Sequence, residues 1–385
     1  MLFQRILAHY RIPLFRALFD RFGILVCCSK ERNGSSLRSE IQVREPWLEV
    51  IRRLYLSTTD NVVVQDFISP LCKHKPRIVI CEGSFGYLTF WMLLLLRSIL
   101  GYKLIAWSHG IENKHFFQQK PGLKSRLLMS ALDWCDAVVF YSNKRKVKVE
   151  SYVGHSEKHF VAHNTLQTKK LLELQAELSL AGQTPIRKKL GWSEDFHVIF
   201  VGRLLKDKRI DLLLQAFEHL SREINVGLHI VGKGPELQLV KDAQGRQSRV
   251  YYHGEVLEDR PLGEMLFAAD LLVNPGYVGL SIVHGFCFGK PLVTCSPTVT
   301  GPFHSPEIEY LDDGANGLLC KSTAESIRDA VLSLLLNPSK LREFSASALK
   351  TAMVQCSEER FLNSYKEAID FCDNSAQKST GQSHT

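Results

Sequence analysis

Little in this sequence points to metal or redox chemistry. Its ten cysteines include no C-x-x-C pair, the spacing used by zinc sites and catalytic dithiols. Several stand in or at the end of apolar runs, as in Val26-Cys27-Cys28 and Ile78-Val79-Ile80-Cys81, which predicts buried thiols in a reducing compartment. No Asp-x-Asp pair closes a strand, so a metal-bridged diphosphate site is not expected. The most apolar stretch, Phe85 to Leu96, is broken by Arg97; it is too short to span a bilayer and reads as a buried helix. Met1-Leu2-Phe3-Gln4-Arg5 has neither the apolar core nor the cleavage site of a secretory signal. Together these gaps predict a cytoplasmic protein without metal or cofactor.

What is present is an ordinary globular composition, 45% apolar and 23% charged over 385 residues, enough for two domains. The net charge of +8 is unevenly placed. Residues 1–160 hold 24 Lys and Arg against 13 Asp and Glu, whereas residues 161–385 hold 24 against 27. A basic half suits an anionic surface, nucleic acid or lipid; no nucleic-acid recognition motif accompanies it.

The second half alternates strands and helices. Strands are predicted at His197–Val201, Leu228–Gly232, Val250–His253, Leu271–Asn274 and Pro291–Thr294. Helices are predicted at Ile210–Leu220, from about Pro235, and from Pro261. The first half repeats the pattern, with strands at Ile24–Cys28, Asn61–Val64, Arg77–Cys81, Lys103–Trp107 and Ala137–Tyr141, and helices at Tyr87–Leu100 and Leu123–Trp134. This alternation means parallel sheets wrapped by helices. The predicted division is a lobe over 1–165, a linker over 166–191, a lobe over 192–356, a helix over 357–372 and a disordered polar tail over 373–385.

Four features carry chemistry. Arg203 and Lys208 follow a strand, where ligands of open parallel sheets bind; two cations there suit a diphosphate and the charge of a departing phosphate. Gly276-Tyr277-Val278-Gly279-Leu280-Ser281-Ile282-Val283-His284 is a glycine turn opening a helix, where backbone N–H groups meet phosphate. His109 leaves a strand of the first half and is the side chain most easily tuned near neutral pH. Glu307 and Glu309, ahead of Asp313-Gly314 and Asn316-Gly317, either bind sugar or ribose hydroxyls or cap a helix.

In order and spacing, these features resemble glycosyltransferase family 4. The matching string runs Val201-Gly202-Arg203 through Lys208, Val231-Gly232-Lys233-Gly234-Pro235-Glu236, His253-Gly254-Glu255-Val256, Ala269-Asp270-Leu271, Gly279-Leu280-Ser281, Gly289-Lys290-Pro291 and Asp313-Gly314-Ala315-Asn316-Gly317. Tyr10-Arg11-Ile12-Pro13, Ser108-His109-Gly110 and His163-Asn164-Thr165 match more loosely. The resemblance implies the GT-B fold: two Rossmann-like lobes facing across a cleft, with a last helix crossing back to the first lobe. It implies metal-independent transfer of a hexose or N-acetylhexosamine, with retained configuration, from a UDP-, GDP- or ADP-sugar to a saccharide or lipid-linked acceptor in surface polysaccharide or lipopolysaccharide synthesis. Arg203, Lys208, Gly232, Gly279, Leu280 and Ser281 then hold the donor, and His109 lies near the transferred sugar.

There is one departure. The family's two glutamates around the glycine turn are here Gly276 and His284. His284 can still bond a ribose, but Gly276 excludes a carboxylate nucleophile, and Glu307 is the candidate replacement. Same-fold alternatives are a catalytically weak nucleotide-sugar scaffold and an epimerase or hydrolase. Lys114, Lys120, Lys124, Arg126, Lys144, Arg145, Lys146 and Lys148 are expected to rest on the anionic inner face of the cytoplasmic membrane.

Overall fold

The computed structural model describes residues 1–31, 45–55, 62–111, 116 and 121–381. The chain divides into two units, Met1–Leu166 with Glu358–Thr385, and Gln167–Ser357.

In the first unit the strands are β1 (Leu2–Phe3), β2 (Val26–Cys28), β3 (Leu48–Val50), β4 (Arg53–Tyr55), β5 (Val63–Gln65), β6 (Ile78–Glu82), β7 (Lys103–Ser108), β8 (Ala137–Phe140) and β9 (His159–Val161). Seven of them form a parallel sheet in the order β3-β2-β1-β6-β7-β8-β9. β5, expected in that sheet from the run Asn61–Val64, instead pairs antiparallel with β4. Asn61 itself lies outside the described residues. The helices are α1 (Ile12–Phe22), α2 (Ile68–His74), α3 (Leu88–Leu100), α4 (Leu123–Trp134) and α5 (Asn143–Val153). Ser142 caps α5 by accepting from Arg145 N, which satisfies one of the N–H groups that a helix start leaves unpaired.

Helix α3 is only half a core helix. Phe90, Leu93 and Leu94 are buried, but Met92, Leu95 and Ile99 are exposed. The sequence is apolar on both faces, so periodicity could not tell which side is covered.

The second unit holds β10 (Phe196–Val201), β11 (Val226–Val231), β12 (Val250–Tyr252), β13 (Leu271–Val273), β14 (Leu292–Cys295) and β15 (Gly317–Cys320). They form one parallel sheet in the order β12-β11-β10-β13-β14-β15. Its helices are α6 (Thr168–Ala181), α7 (Gln183–Leu190), α8 (Ile210–Glu223), α9 (Leu237–Arg246), α10 (Asp259–Ala268), α11 (Ser281–Cys287), α12 (Ala324–Leu335) and α13 (Pro338–Val354). Ile210, Leu213, Leu214, Phe217 and Leu220 form one buried face of α8, each contributing about 1.5–3 kcal/mol on burial. Residues 168–190, expected as linker, are the helices α6 and α7. Arg187 fastens α7 by donating to Ala268 O at 2.8 Å and pairing with Asp270 at 2.7 Å.

The chain returns to the first unit as α14 (Glu358–Gly381). Phe361, Leu362, Tyr365, Ala368 and Cys372 join one core with Leu2, Leu14 and Trp107. This helix runs past Cys372, through residues expected to be disordered, because a helix already nucleated by packing extends readily through polar residues. All ten cysteines are free, and Cys72 alone is exposed. No described helix is long and apolar enough to cross a membrane.

Candidate active site

Each large sheet reverses its strand order once, and such reversal points open the crevices in which α/β proteins bind ligands. In the second unit the reversal lies between β10 and β13, so the loops after these two strands meet there.

The loop after β10 carries Gly202 and Arg203 and then turns through a single 3-10 turn, Lys206–Lys208. Arg203 is exposed and makes no ion pair with a described residue. Lys208 is buried. Its ammonium donates to the carbonyl of Tyr277 and lies 4.9 Å from the centre of that ring. It too has no ion pair among the described residues. Desolvation lowers the Lys208 pKa to about 8; Asp207 and Glu307 support its charge, and Arg203 opposes it.

The loop after β13 is stitched onto that turn. Gly276 N donates to Lys208 O at 3.1 Å, and Tyr277 N to Asp207 O at 2.8 Å. A Cβ on Gly276 would collide with the carbonyl oxygen of Asp207 and stand 2.6 Å from the Cα of Lys208. The missing family glutamate is therefore more than a truncation: the turn that presents Lys208 occupies the space its side chain would need. Gly232 serves the same region differently. With φ at +141°, its missing Cβ would fall on the carbonyl of Gly202, so the loops after β10 and β11 touch backbone to backbone.

Past Gly276 the chain enters α11. The N–H groups of Gly279, Leu280 and Ser281 make no hydrogen bond to a described residue, and the buried Ser281 hydroxyl has no partner among the described residues. His284 is half-buried, and desolvation lowers its pKa to about 4, leaving a neutral imidazole. Glu307, in a 3-10 turn at Pro306–Tyr310, is buried and accepts from the Ser305 hydroxyl.

One contributor escaped sequence reasoning. His304 is buried; its Nδ1 accepts from Val278 N at 3.1 Å and its Nε2 donates to Cys295 O at 2.8 Å. With Ser305 N donating to Val278 O at 3.0 Å, it pins the glycine turn from behind. A lone histidine between Phe303 and Ser305 carries no pattern that would single it out.

His109 belongs to the first unit, at the end of β7. Its ring stacks on Tyr141, centroids 4.0 Å apart and planes 10° apart, and the residue is exposed. Desolvation, then the guanidiniums of Arg145, Arg11 and Arg5, hold it well below the usual histidine range. It is a neutral hydrogen-bonding group. Arg145, expected on a membrane-facing surface, is instead buried, donating to the carbonyls of His109 and Ile111. Lys114 and Lys120 lie outside the described residues.

Residues 195–337 match the family model for glycosyl transferases group 1. N-acetyl-alpha-D-glucosaminyl L-malate synthase of Bacillus anthracis is 28% identical over 192 residues, 48% of this chain and about half (48%) of that relative's length. The crystal structure of Anabaena HepE in complex with UDP and glucose superposes with a TM-score of 0.63 at 15% identity, covering 96% of this chain and 98% of that one. WaaG, a glycosyltransferase involved in lipopolysaccharide biosynthesis, gives 0.62 at 14% identity, covering 95% and 98%. These structural likenesses show the GT-B fold.

Proposed function

We propose that this chain, a glycosyltransferase family 4-like protein of the group 1, GT-B type, moves a hexose or N-acetylhexosamine from a nucleotide-diphosphate sugar to a saccharide or lipid-linked acceptor. The observation that carries the reading is Lys208: a buried ammonium beside Arg203 and three N–H groups, with neither an ion pair for the ammonium nor a hydrogen bond from those N–H groups among the described residues. Two cations and a run of free donors at a sheet reversal suit a diphosphate. The HepE complex, which holds UDP and glucose, supports a UDP-sugar, and the context of WaaG supports surface-glycan synthesis.

In this reading no side-chain carboxylate attacks the sugar, since backbone fills the space at Gly276. The acceptor hydroxyl attacks the anomeric carbon on the face the diphosphate leaves. The bond to the diphosphate oxygen breaks as the new glycosidic bond forms, and that oxygen takes the hydroxyl proton. Configuration is retained. Arg203 and Lys208 stabilise the departing charge, and neutral His284 bonds the ribose.

The test is thermal shift against UDP-, GDP- and ADP-sugars. At a hundredfold excess over Kd, one donor is expected to stabilise the fold by about 2.7 kcal/mol. Because Arg203 is exposed, Arg203→Ala should leave the fold intact and abolish the shift. An unchanged shift in that variant would move the diphosphate elsewhere.

The first unit is also read as resting on a membrane. Leu95 and Ile99 of α3, and Leu123, Leu127 and Trp134 of α4, are exposed, with Lys124 and Arg126 exposed on α4. Apolar and basic groups side by side suit an anionic interface, each well-placed cation contributing about 1 kcal/mol. Co-sedimentation with phosphatidylserine vesicles should exceed that with neutral vesicles and fall with salt. Binding indifferent to both would remove this reading.

A further inference from the structure

The first sheet has its own reversal point, between β1 and β6, and the charge that the described residues gather there does not balance. We propose that it is a subsite for an anionic group on the acceptor, a phosphate or carboxylate held by Arg5, Arg11 and His109. The proposal rests on the glycosyl-transfer reading above and narrows the acceptor's chemical class.

β1 delivers Gln4 and Arg5, β6 ends in Glu82 and leads to Ser84, and β7 leads to His109. Three rings stack in succession: His109 on Tyr141, and Tyr141 on Trp107 with centroids 4.9 Å apart and planes 19° apart. The Arg11 guanidinium lies 4.4 Å from the centre of the Trp107 ring. It donates to Gln4 Oε1 at 2.9 Å and to the Tyr141 hydroxyl at 3.2 Å. Arg11 is buried, and its Nε has no partner among the described residues. Arg5 donates through Nε to Glu82 Oε1 at 2.9 Å and through Nη2 to Glu82 Oε1 and, at 3.3 Å, to Ser84 Oγ, while its Nη1 bonds no described residue.

Two guanidiniums thus share one carboxylate, Glu82, and Gln4 bridges them by donating to Glu82 Oε2 at 2.9 Å. A buried cation without an anion is costly, and among the described residues the unmatched one is Arg11. The site is reachable: the Arg5 side chain is 31% exposed, Tyr10 is 39% exposed, and His109 is exposed. Neutral His109 supplies an N–H donor, and the Nη1 of Arg5 supplies N–H donors on the planar guanidinium, which an ammonium in its place would not set in that direction, toward a phosphate or carboxylate.

The full chain, with its donor site filled by UDP, is titrated with methyl phosphate and separately with malonate. The ring resonance of His109, assigned by its loss in His109→Gln, is followed by NMR. One of the two anions is expected to move that resonance and raise the His109 pKa, because its charge offsets the surrounding guanidiniums. Which of them does so distinguishes a phosphorylated from a carboxylated acceptor. Arg5→Lys keeps the charge opposite Glu82 but loses the Nη1 donors, and should weaken the effect about tenfold. The proposal is overturned if neither anion moves His109 at millimolar concentration. It is equally overturned if UDP alone moves His109 fully and the anions add nothing, since the group is then the donor's own phosphate. If UDP does not bind at all, the donor reading fails, and the same titration without UDP still decides the subsite.

Discussion

Gly276→Glu, the change that restores the family's carboxylate, is expected to destabilise the second unit by about 3 kcal/mol or more and to restore nothing. The obstacle is the Cβ itself, which would meet the backbone of Asp207 and Lys208. Neither can yield cheaply, because the two loops are joined by the hydrogen bonds Gly276 N to Lys208 O and Tyr277 N to Asp207 O. Gly276→Ala should therefore cost about as much as Gly276→Glu. Urea unfolding checks both, and donor thermal shift checks recovery of binding. A glutamate variant of wild-type stability would mean that the turn carrying Lys208 moves freely, and the account of that turn would fail.

The second large effect is acid lability. His229 is fully buried; its Nε2 lies 3.1 Å from His197 Nδ1 and its Nδ1 lies 3.1 Å from His253 Nε2, while the ring stacks on Trp192 with centroids 3.5 Å apart. Desolvation, then its two histidine neighbours, lower its pKa to about 2. Desolvation lowers that of His304 to about 4. Both folded values lie below the unfolded value of about 6.5. Below pH 6.5 the unfolded chain takes up protons that the folded chain refuses, so stability falls as pH falls. From pH 7.5 to 5.5 these two residues together should cost about 3 kcal/mol. The urea midpoint should drop over that interval, where ordinary carboxylates remain ionised. His304→Gln, which keeps one acceptor and one donor, should reduce the loss over that interval by about 1.4 kcal/mol. A midpoint independent of pH would show that these imidazoles titrate freely in the fold.

The order of elements in the second unit was legible because β10 to β14 are short apolar runs ending at glycine, asparagine or polar residues, with amphipathic helices between them. β15 was not, since Gly317–Cys320 follows directly on an Asn-Gly turn signal that masked it. β1 was beyond reach for another reason. It is two residues long, yet it pairs on both sides, Leu2 with Val26 and with Ile80, and no periodicity exists over two positions. Of the candidate site, the fold places Arg203, Lys208, Gly276 and the Gly279–Ser281 turn where two loops converge, as strand-end positions suggested. Their mutual fit was invisible, because backbone filling the volume of an absent side chain leaves no mark in composition. His304 and Arg11 act through partners that only the fold brings to them, Cys295 and Val278 for one, Gln4 and Tyr141 for the other.

The membership of α14 in the first unit has a consequence for synthesis. Phe361, Leu362 and Tyr365 complete a core begun by Leu2 and Leu14, so a nascent chain cannot finish its first unit until those residues have left the ribosome. The second unit, contiguous from Gln167 to Ser357, is free to close before it. Vectorial translation, which ordinarily lets the amino-terminal domain fold first, here leaves that domain waiting, with apolar surface uncovered for the time it takes to make the other.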